Sequence, residues 1–243
     1  MLLLAFVVVM EQAFSTVADR VAAVQERIAR AEARAGRSPG TVRLVAVTKR
    51  VPAARVAEAA AAGVTEFGEN YVQEARAKIP ELTQYIATDI NWHLIGHLQT
   101  NKAKYAVLLF PLIHTVDTYQ LAQELGRQTS KRHKTQNVLI EVNLSGDPGR
   151  AGARPEESLE LADRVGAVPG LELKGLMGMA PYAEGSEDAR PHFRRLRALF
   201  DRLPGPNRQI LSMGMSGDFE VAIEEGATLV RIGTALFGKR EGG

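Results

Sequence analysis

Hydrophobic positions along the chain switch between two periods. Over 11–37, Val17, Val21, Val24, Ile28 and Ala31 recur at spacings of three and four with charged residues between them, the repeat of one helix face. Gly36 and the Ser38-Pro39-Gly40 group end that helix. From Arg43 onward, short apolar and β-branched runs alternate with Ala- and charge-rich stretches of helical spacing. The runs predict strands near 44–48, 66–68, 91–95, 112–116, 137–143, 173–177, 209–213 and 229–232. The stretches between them predict helices over 53–62, 72–77, 119–128, 155–165, 191–203 and 219–226. Strand–helix alternation gives a parallel sheet rather than a run of hairpins. Eight units in 243 residues fit an α/β fold, a single (β/α)8 TIM barrel with an additional N-terminal helix. An open doubly wound sheet competes with it, but the count closes at eight and no G-x-G-x-x-G opens the first unit.

The first ten residues stand apart. Met1 to Met10 are continuously apolar, yet a bilayer span takes about 20 such residues. The basic flank and the A-x-A site of a secretory signal are missing. The chain therefore divides into an apolar N-terminal extension, 1–10, and one barrel domain, 11–243. Composition narrows the function classes. With 45% hydrophobic and 24% charged residues the chain can bury an ordinary core. Thirty Lys and Arg against 28 Asp and Glu leave +2, without a long basic run, so neither nucleic acid nor membrane is expected as a partner. The absence of cysteine removes disulfides, a thiolate nucleophile and a Cys-ligated metal, and is compatible with a cytoplasmic location. The segment Ser145-Gly146-Asp147-Pro148-Gly149-Arg150-Ala151-Gly152 reads as a mobile loop with few anchors.

Barrels of this type place chemistry at the carboxyl ends of the strands. Those positions are Lys49, Glu69, Asn70, His97, Asp117, Asn143, Met177, Met179, 212–216 and 231–234. Lys49 emerges from the apolar run Leu44-Val45-Ala46-Val47-Thr48. In low dielectric a lysine loses its proton more readily and attacks carbonyls. The alternative, a lysine that snorkels to the solvated rim, stays open at this point. After strand seven comes Ser212-Met213-Gly214-Met215-Ser216-Gly217, and after strand eight Arg231-Ile232-Gly233-Thr234. Loops after strands seven and eight often hold a phosphate in such barrels, although tight turns alone would also explain the glycines. An amine beside a phosphate seat points to a phosphorylated aldehyde or ketone. His93 and His97 carry the spacing of a helical metal pair but fall in a strand, so His93 reads as packing and no metal is expected. Met177, Met179, Met213 and Met215 read as adaptable packing around a flat ligand.

The motifs Val47-Thr48-Lys49, Gly68-Glu69-Asn70-Tyr71, Trp92-His93-Leu94-Ile95-Gly96-His97, Gly175-Leu176-Met177-Gly178-Met179 and Ser212-Met213-Gly214-Met215-Ser216, with Val230-Arg231-Ile232-Gly233-Thr234, together resemble the pyridoxal phosphate homeostasis protein family. The resemblance runs from about Arg43 to Gly238. It implies a fold similar to the amino-terminal barrel of alanine racemase. It also implies pyridoxal 5'-phosphate held as an imine on Lys49, with phosphate contacts from Ser216, Gly233 and Thr234. On the same resemblance the pyridine nitrogen faces Arg231, and Asn70 and Met215 lie in the cofactor site. The function implied is storage and delivery of the cofactor, by a monomer, to pyridoxal phosphate-dependent apo-enzymes. An amino-acid racemase using the same lysine and a Schiff-base aldolase acting on a phosphorylated sugar are the alternatives. Two positions depart from the family pattern. A second lysine often stands two residues after the first, before proline, where this chain has Lys49-Arg50-Val51-Pro52. A lysine often stands in the loop after strand five, where this chain has Arg150-Ala151-Gly152.

Overall fold

A computed structural model describes residues 16–86, 90–182 and 184–238. The apolar run at 1–10 and the expected helix start at 11–15 lie outside the described residues. Eight parallel strands close into a barrel in sequence order. They are β1 Arg43–Val47, β2 Glu66–Glu69, β3 Asn91–Leu94, β4 Leu112–Val116, β5 Gln136–Asn143, β6 Leu171–Met179, β7 Ile210–Ser212 and β8 Leu229–Ile232. Pairing of Arg43 with Leu229 through Ala46 with Ile232 joins the last strand to the first. Alternate residues of each strand face opposite sides, so a closed sheet has an inner and an outer set.

The helices among the described residues are α1 Val17–Arg34, α2 Ala53–Ala61, α3 Val72–Leu82, α4 Ala103–Leu109, α5 Tyr119–Ser130, α6 Ser158–Gly166, α7 Arg190–Phe200, α8 Phe219–Glu224 and α9 Thr234–Phe237. None of these helices is long and apolar enough to cross a membrane. The additional helix α1 buries the predicted stripe Val17, Val21, Val24, Ile28 and Ala31. Thr16 and Asp19 form a capping box at its start, which satisfies two otherwise unpaired N–H groups. Arg27 and Arg34 tie α1 to Glu220 and Glu224 of α8. Glu32 shares this helix but is buried, and it accepts from the N–H groups of Gly40 and Val42 and from the Thr41 hydroxyl. That carboxylate fixes the path of the chain into β1.

Most apolar bulk lies between the strands and the helices. A second, smaller cluster of Leu112, Leu139 and Met177, with Ile210 against it, sits on β4 to β7. The barrel also buries ionisable and polar side chains: Glu69, His93, His114, Glu141, Ser212 and Arg231. Buried polar groups need partners, and the partners here lead to the functional site.

Candidate active site at the carboxyl end of the barrel

A cavity of about 780 Å³ opens at the carboxyl ends of the strands. Lys49, Met215, Ser216, Arg231, Gly233 and Thr234 line it together, although they come from three loops far apart in sequence. Asn70 follows β2 and does not line this cavity. Its backbone packs on Gly96, where an added Cβ would lie 2.3 Å from the Asn70 carbonyl oxygen.

The turn that carries Lys49 is pinned on both sides. Lys78 of α3 donates to the Thr48 carbonyl at 2.6 Å, to Glu69 Oε1 at 2.6 Å and to Glu74 Oε1 at 2.8 Å. The Thr48 hydroxyl donates to the same Glu69 oxygen at 2.7 Å. On the other side the Arg50 N–H donates to Glu74. Arg50 has φ 57°, a left-handed conformation that costs a non-glycine residue roughly 1–2 kcal/mol. The ion cluster holds the chain in that turn. Glu69 is fully buried, and burial raises its carboxyl pKa against the opposing pull of Lys78 and Thr48.

Arg231 forms part of the cavity floor. It is buried, and its Nη1 donates to Ser212 Oγ at 2.5 Å while Nη2 donates to the Gly178 carbonyl at 3.1 Å. Burial lowers its pKa to about 10, with Glu141 and Asp218 opposing the shift, so it remains a cation near neutral pH. Glu141, on β5, is buried and has one oxygen, Oε2, with no hydrogen-bond partner. Burial and the neighbouring Asp117 push its pKa up to about 7, against the pull of Arg231. An acid that shares its proton near neutrality thus borders the cavity beside a fixed cation.

The two phosphate-type turns meet through one hydroxyl. Ser216 Oγ accepts the Ala235 N–H at 3.2 Å, so its own hydrogen is left for an acceptor. Asp218 Oδ1 accepts the Met215 N–H at 2.6 Å and closes the 215–218 turn. Gly214 begins this turn at φ +94°, and a Cβ there would stand 2.6 Å from Ala222 Cβ and 2.9 Å from Phe219 Cα. Only glycine lets the chain leaving β7 run so close to α8. Gly217 lines the cavity, and an added Cβ would meet nothing within 4 Å, which leaves its backbone open to a ligand.

The loop 145–152, read from sequence as mobile with few anchors, is tied by Asn143. Asn143 accepts from the Ser145 N–H and hydroxyl and donates to the carbonyls of Asp147 and Arg150. Arg150 and Ala151 line the cavity. His97 and Asp117 lie 3.6 Å apart at the rim. Met177 is buried in the small cluster, whereas Met179 and Met215 are part-exposed at the mouth. Sequence reasoning missed Lys78, Glu141 and His114. Glu141 and His114 left a signal, each being an ionisable residue flanked by β-branched and aliphatic residues within its strand.

Comparison with known proteins agrees with this geometry. The family described as alanine racemase, N-terminal domain, matches residues 20–241. A protein of Aquifex aeolicus (strain VF5) named pyridoxal phosphate homeostasis protein is 45% identical over 226 residues, covering 92% of this chain and 98% of that protein. The Escherichia coli (strain K12) protein of the same name is 41% identical over 229 residues, covering 93% and 97%. Among solved structures, PipY of Synechococcus elongatus PCC7942 with PLP bound superposes with a TM-score of 0.78 at 36% identity, over 92% of this chain and 100% of that one. Alanine racemase of Clostridium difficile 630 shares the fold, with a TM-score of 0.68 at 16% identity, and this chain covers 56% of it. With relatives matched at such identity along nearly their whole length, the chain belongs to the pyridoxal phosphate homeostasis protein family.

Proposed function

We propose that the protein binds pyridoxal 5'-phosphate and serves its storage and delivery, with Lys49 as the amine that carries it. One observation carries this reading: the Lys49 turn, buried Arg231 and the Ser216 and Gly233-Thr234 turns line a single cavity. The residues fit the group. The Ser216 hydrogen and the open backbone at Gly217 suit a phosphate. Arg231 suits a ring nitrogen that accepts, because a guanidinium only donates. When bound, pyridoxal phosphate supplies an aldehyde that an amine captures reversibly. Met215 completes the cofactor site in this reading, and Asn70, expected from the sequence to lie in it, stands outside the cavity lining. Residues 11–243 act as one binding domain.

Arg231 also argues for a carrier rather than a catalyst. A buried cation at the ring nitrogen disfavours protonation there and leaves the ring a weak electron sink. The recipients on this reading are pyridoxal phosphate-dependent apo-enzymes, and the protein works as a monomer in the cytoplasm.

Absorbance with and without added pyridoxal phosphate tests the binding. Borohydride reduction and peptide mapping should then find a cofactor-sized increment on the Lys49 peptide, and Lys49→Ala should lose the adduct while keeping some phosphate-directed affinity. A colourless protein that cannot be reconstituted overturns the reading. Solvent deuterium entering the α-position of free amino acids would replace the carrier with a racemase.

A further inference from the structure

Behind Arg231 a row of polar side chains crosses the barrel. Arg231 Nη1 lies 2.5 Å from Ser212 Oγ, and Ser212 Oγ lies 3.1 Å from His114 Nδ1. His114 Nε2 lies 2.9 Å from His93 Nδ1. His93 Nε2 lies 3.9 Å from Glu66 Oε2, a buried oxygen with no hydrogen-bond partner. The other Glu66 oxygen accepts from Arg43 at the amino end of the barrel. The residues come from β8, β7, β4, β3, β2 and β1, so the row joins the cavity floor to the opposite end of the barrel.

The direction of each bond follows from what each group can do. Arg231 can only donate, so Ser212 Oγ accepts from it. The Ser212 hydrogen then has one polar neighbour left, His114 Nδ1. Both imidazoles are neutral at ordinary pH. Burial takes His93 down to about 3 and His114 well below the usual histidine range. A neutral ring that accepts at Nδ1 carries its hydrogen on Nε2. His114 therefore donates to His93, and His93, accepting at Nδ1, turns its own Nε2–H toward Glu66. Under the opposite order Ser212 would receive two donors, and its hydrogen would have no acceptor among the described residues. Every dipole in the row points from the guanidinium toward the carboxylate.

We propose that Ser212, His114 and His93 are positioning residues for Arg231, a one-way hydrogen-bond chain that faces the Glu66 carboxyl at its far end, fixes both histidine tautomers and aims the guanidinium at the cavity. The chain itself needs no ligand; its effect on a cofactor ring rests on the pyridoxal phosphate reading above. Along this chain the barrel interior spends polar side chains where apolar packing would serve stability. The three hydrogen bonds from Arg231 to His93 each pair a donor with an acceptor, and a buried network satisfied in this way specifies one arrangement.

Two measurements test it. In the ligand-free protein, long-range 15N–1H correlation spectra should show His93 and His114 as Nε2–H tautomers that do not titrate between about pH 5 and 8. A protonated ring, or an Nδ1–H tautomer on either, overturns the chain. In the second, pyridoxal phosphate is titrated into wild type, Ser212→Ala, His114→Leu and His114→Gln. Loss of the charge-assisted Arg231–Ser212 bond should weaken binding about tenfold in Ser212→Ala, and loss of the neutral acceptor behind Ser212 about fivefold in His114→Leu. The absorption maximum of the bound cofactor should shift in both. Glutamine can accept and donate in the same direction, so His114→Gln should restore both readings. Unmoved affinity and absorption in Ser212→Ala, a small change that the fold should tolerate, overturns the positioning role. If wild type itself takes up no pyridoxal phosphate, the functional reading fails, and the tautomers still decide the chain.

Discussion

Replacing Lys78 with methionine tests the support of the Lys49 turn. Methionine keeps most of the length of the side chain and removes its charge. The structure sets the cost. Lys78 is buried and makes three contacts at 2.6–2.8 Å, two of them to carboxylates. Without it Glu69 keeps only the Thr48 hydroxyl, and its second oxygen already lacks a partner. Removing one partner of a buried ion pair costs roughly 3–5 kcal/mol. Proton uptake limits the Glu69 share. Protonating a carboxyl of ordinary pKa at pH 7 costs about 4 kcal/mol. The expected loss is therefore about 3–5 kcal/mol, or roughly 10 °C in melting temperature for a chain of this size. The pH dependence has a definite sign. A carboxyl whose folded pKa lies above its unfolded value loses stability as pH rises through that window. In the variant Glu69 is raised further, so the deficit should shrink by up to about 2 kcal/mol between pH 7 and pH 5.5. Equilibrium urea unfolding of the ligand-free protein at both pH values measures this. Adding Glu69→Gln to Lys78→Met should recover part of the loss. A deficit below about 1 kcal/mol, or one that ignores pH, would show that the ion cluster does not hold the turn.

Four further substitutions probe the cavity and the turns around it. Glu141, raised to about 7 by burial, makes the native state bind more protons than the unfolded chain between its unfolded pKa and that value. Stability should therefore fall by up to roughly 3 kcal/mol as pH rises through that window. Glu141→Gln should flatten the slope, and equal slopes in urea unfolding of both proteins would refute it. Gly214→Ala meets both a positive φ and the Ala222 and Phe219 contacts, and should cost roughly 3 kcal/mol of stability in the same assay. An unchanged midpoint would remove the close-approach argument. Ser216→Ala and Thr234→Val should each weaken pyridoxal phosphate binding by about 1 kcal/mol, read as a roughly fivefold rise in Kd. Unchanged Kd in both would move the phosphate elsewhere.

The barrel was legible because its signal is local. Most strands contain a short apolar or β-branched run, and Gly, Pro or charged residues stand near the ends of those runs. Helix α4 escaped because it buries only Ala103 and Ala106, whose small side chains give little periodic signal. Helix α3 extends past the predicted 72–77 to Leu82, through Pro80 in its last turn. The site was legible at Lys49, Ser216, Arg231, Gly233 and Thr234, because strand ends mark the functional face. Its supports were not. Lys78 sits on an amphipathic helix among other charges, and nothing local separates it from a solvated residue. Its burial depends on Glu69 at the end of another element. His93, His114 and Ser212 are separated by 21 and 98 residues and become neighbours only when the barrel closes.

The two supports reach the cavity by separate routes, and that separation is testable. Glu66 and Glu69 both belong to β2, three residues apart. An odd spacing on a strand sends side chains to opposite faces. Glu66 therefore joins the histidine row, and Glu69 turns out toward Lys78 of α3. The Lys78 cluster and the Arg231 chain share no side chain. Changes at sites without shared partners add to within about 0.5 kcal/mol. Lys78→Met and Ser212→Ala should then show additive losses of stability, and additive losses of affinity for pyridoxal phosphate. The single and double variants, measured by urea unfolding and by absorbance titration, complete the cycle. A coupling above about 1 kcal/mol in either quantity would mean that strand β2 transmits between its faces. The Lys49 turn and the Arg231 floor would then be one mechanical unit rather than two.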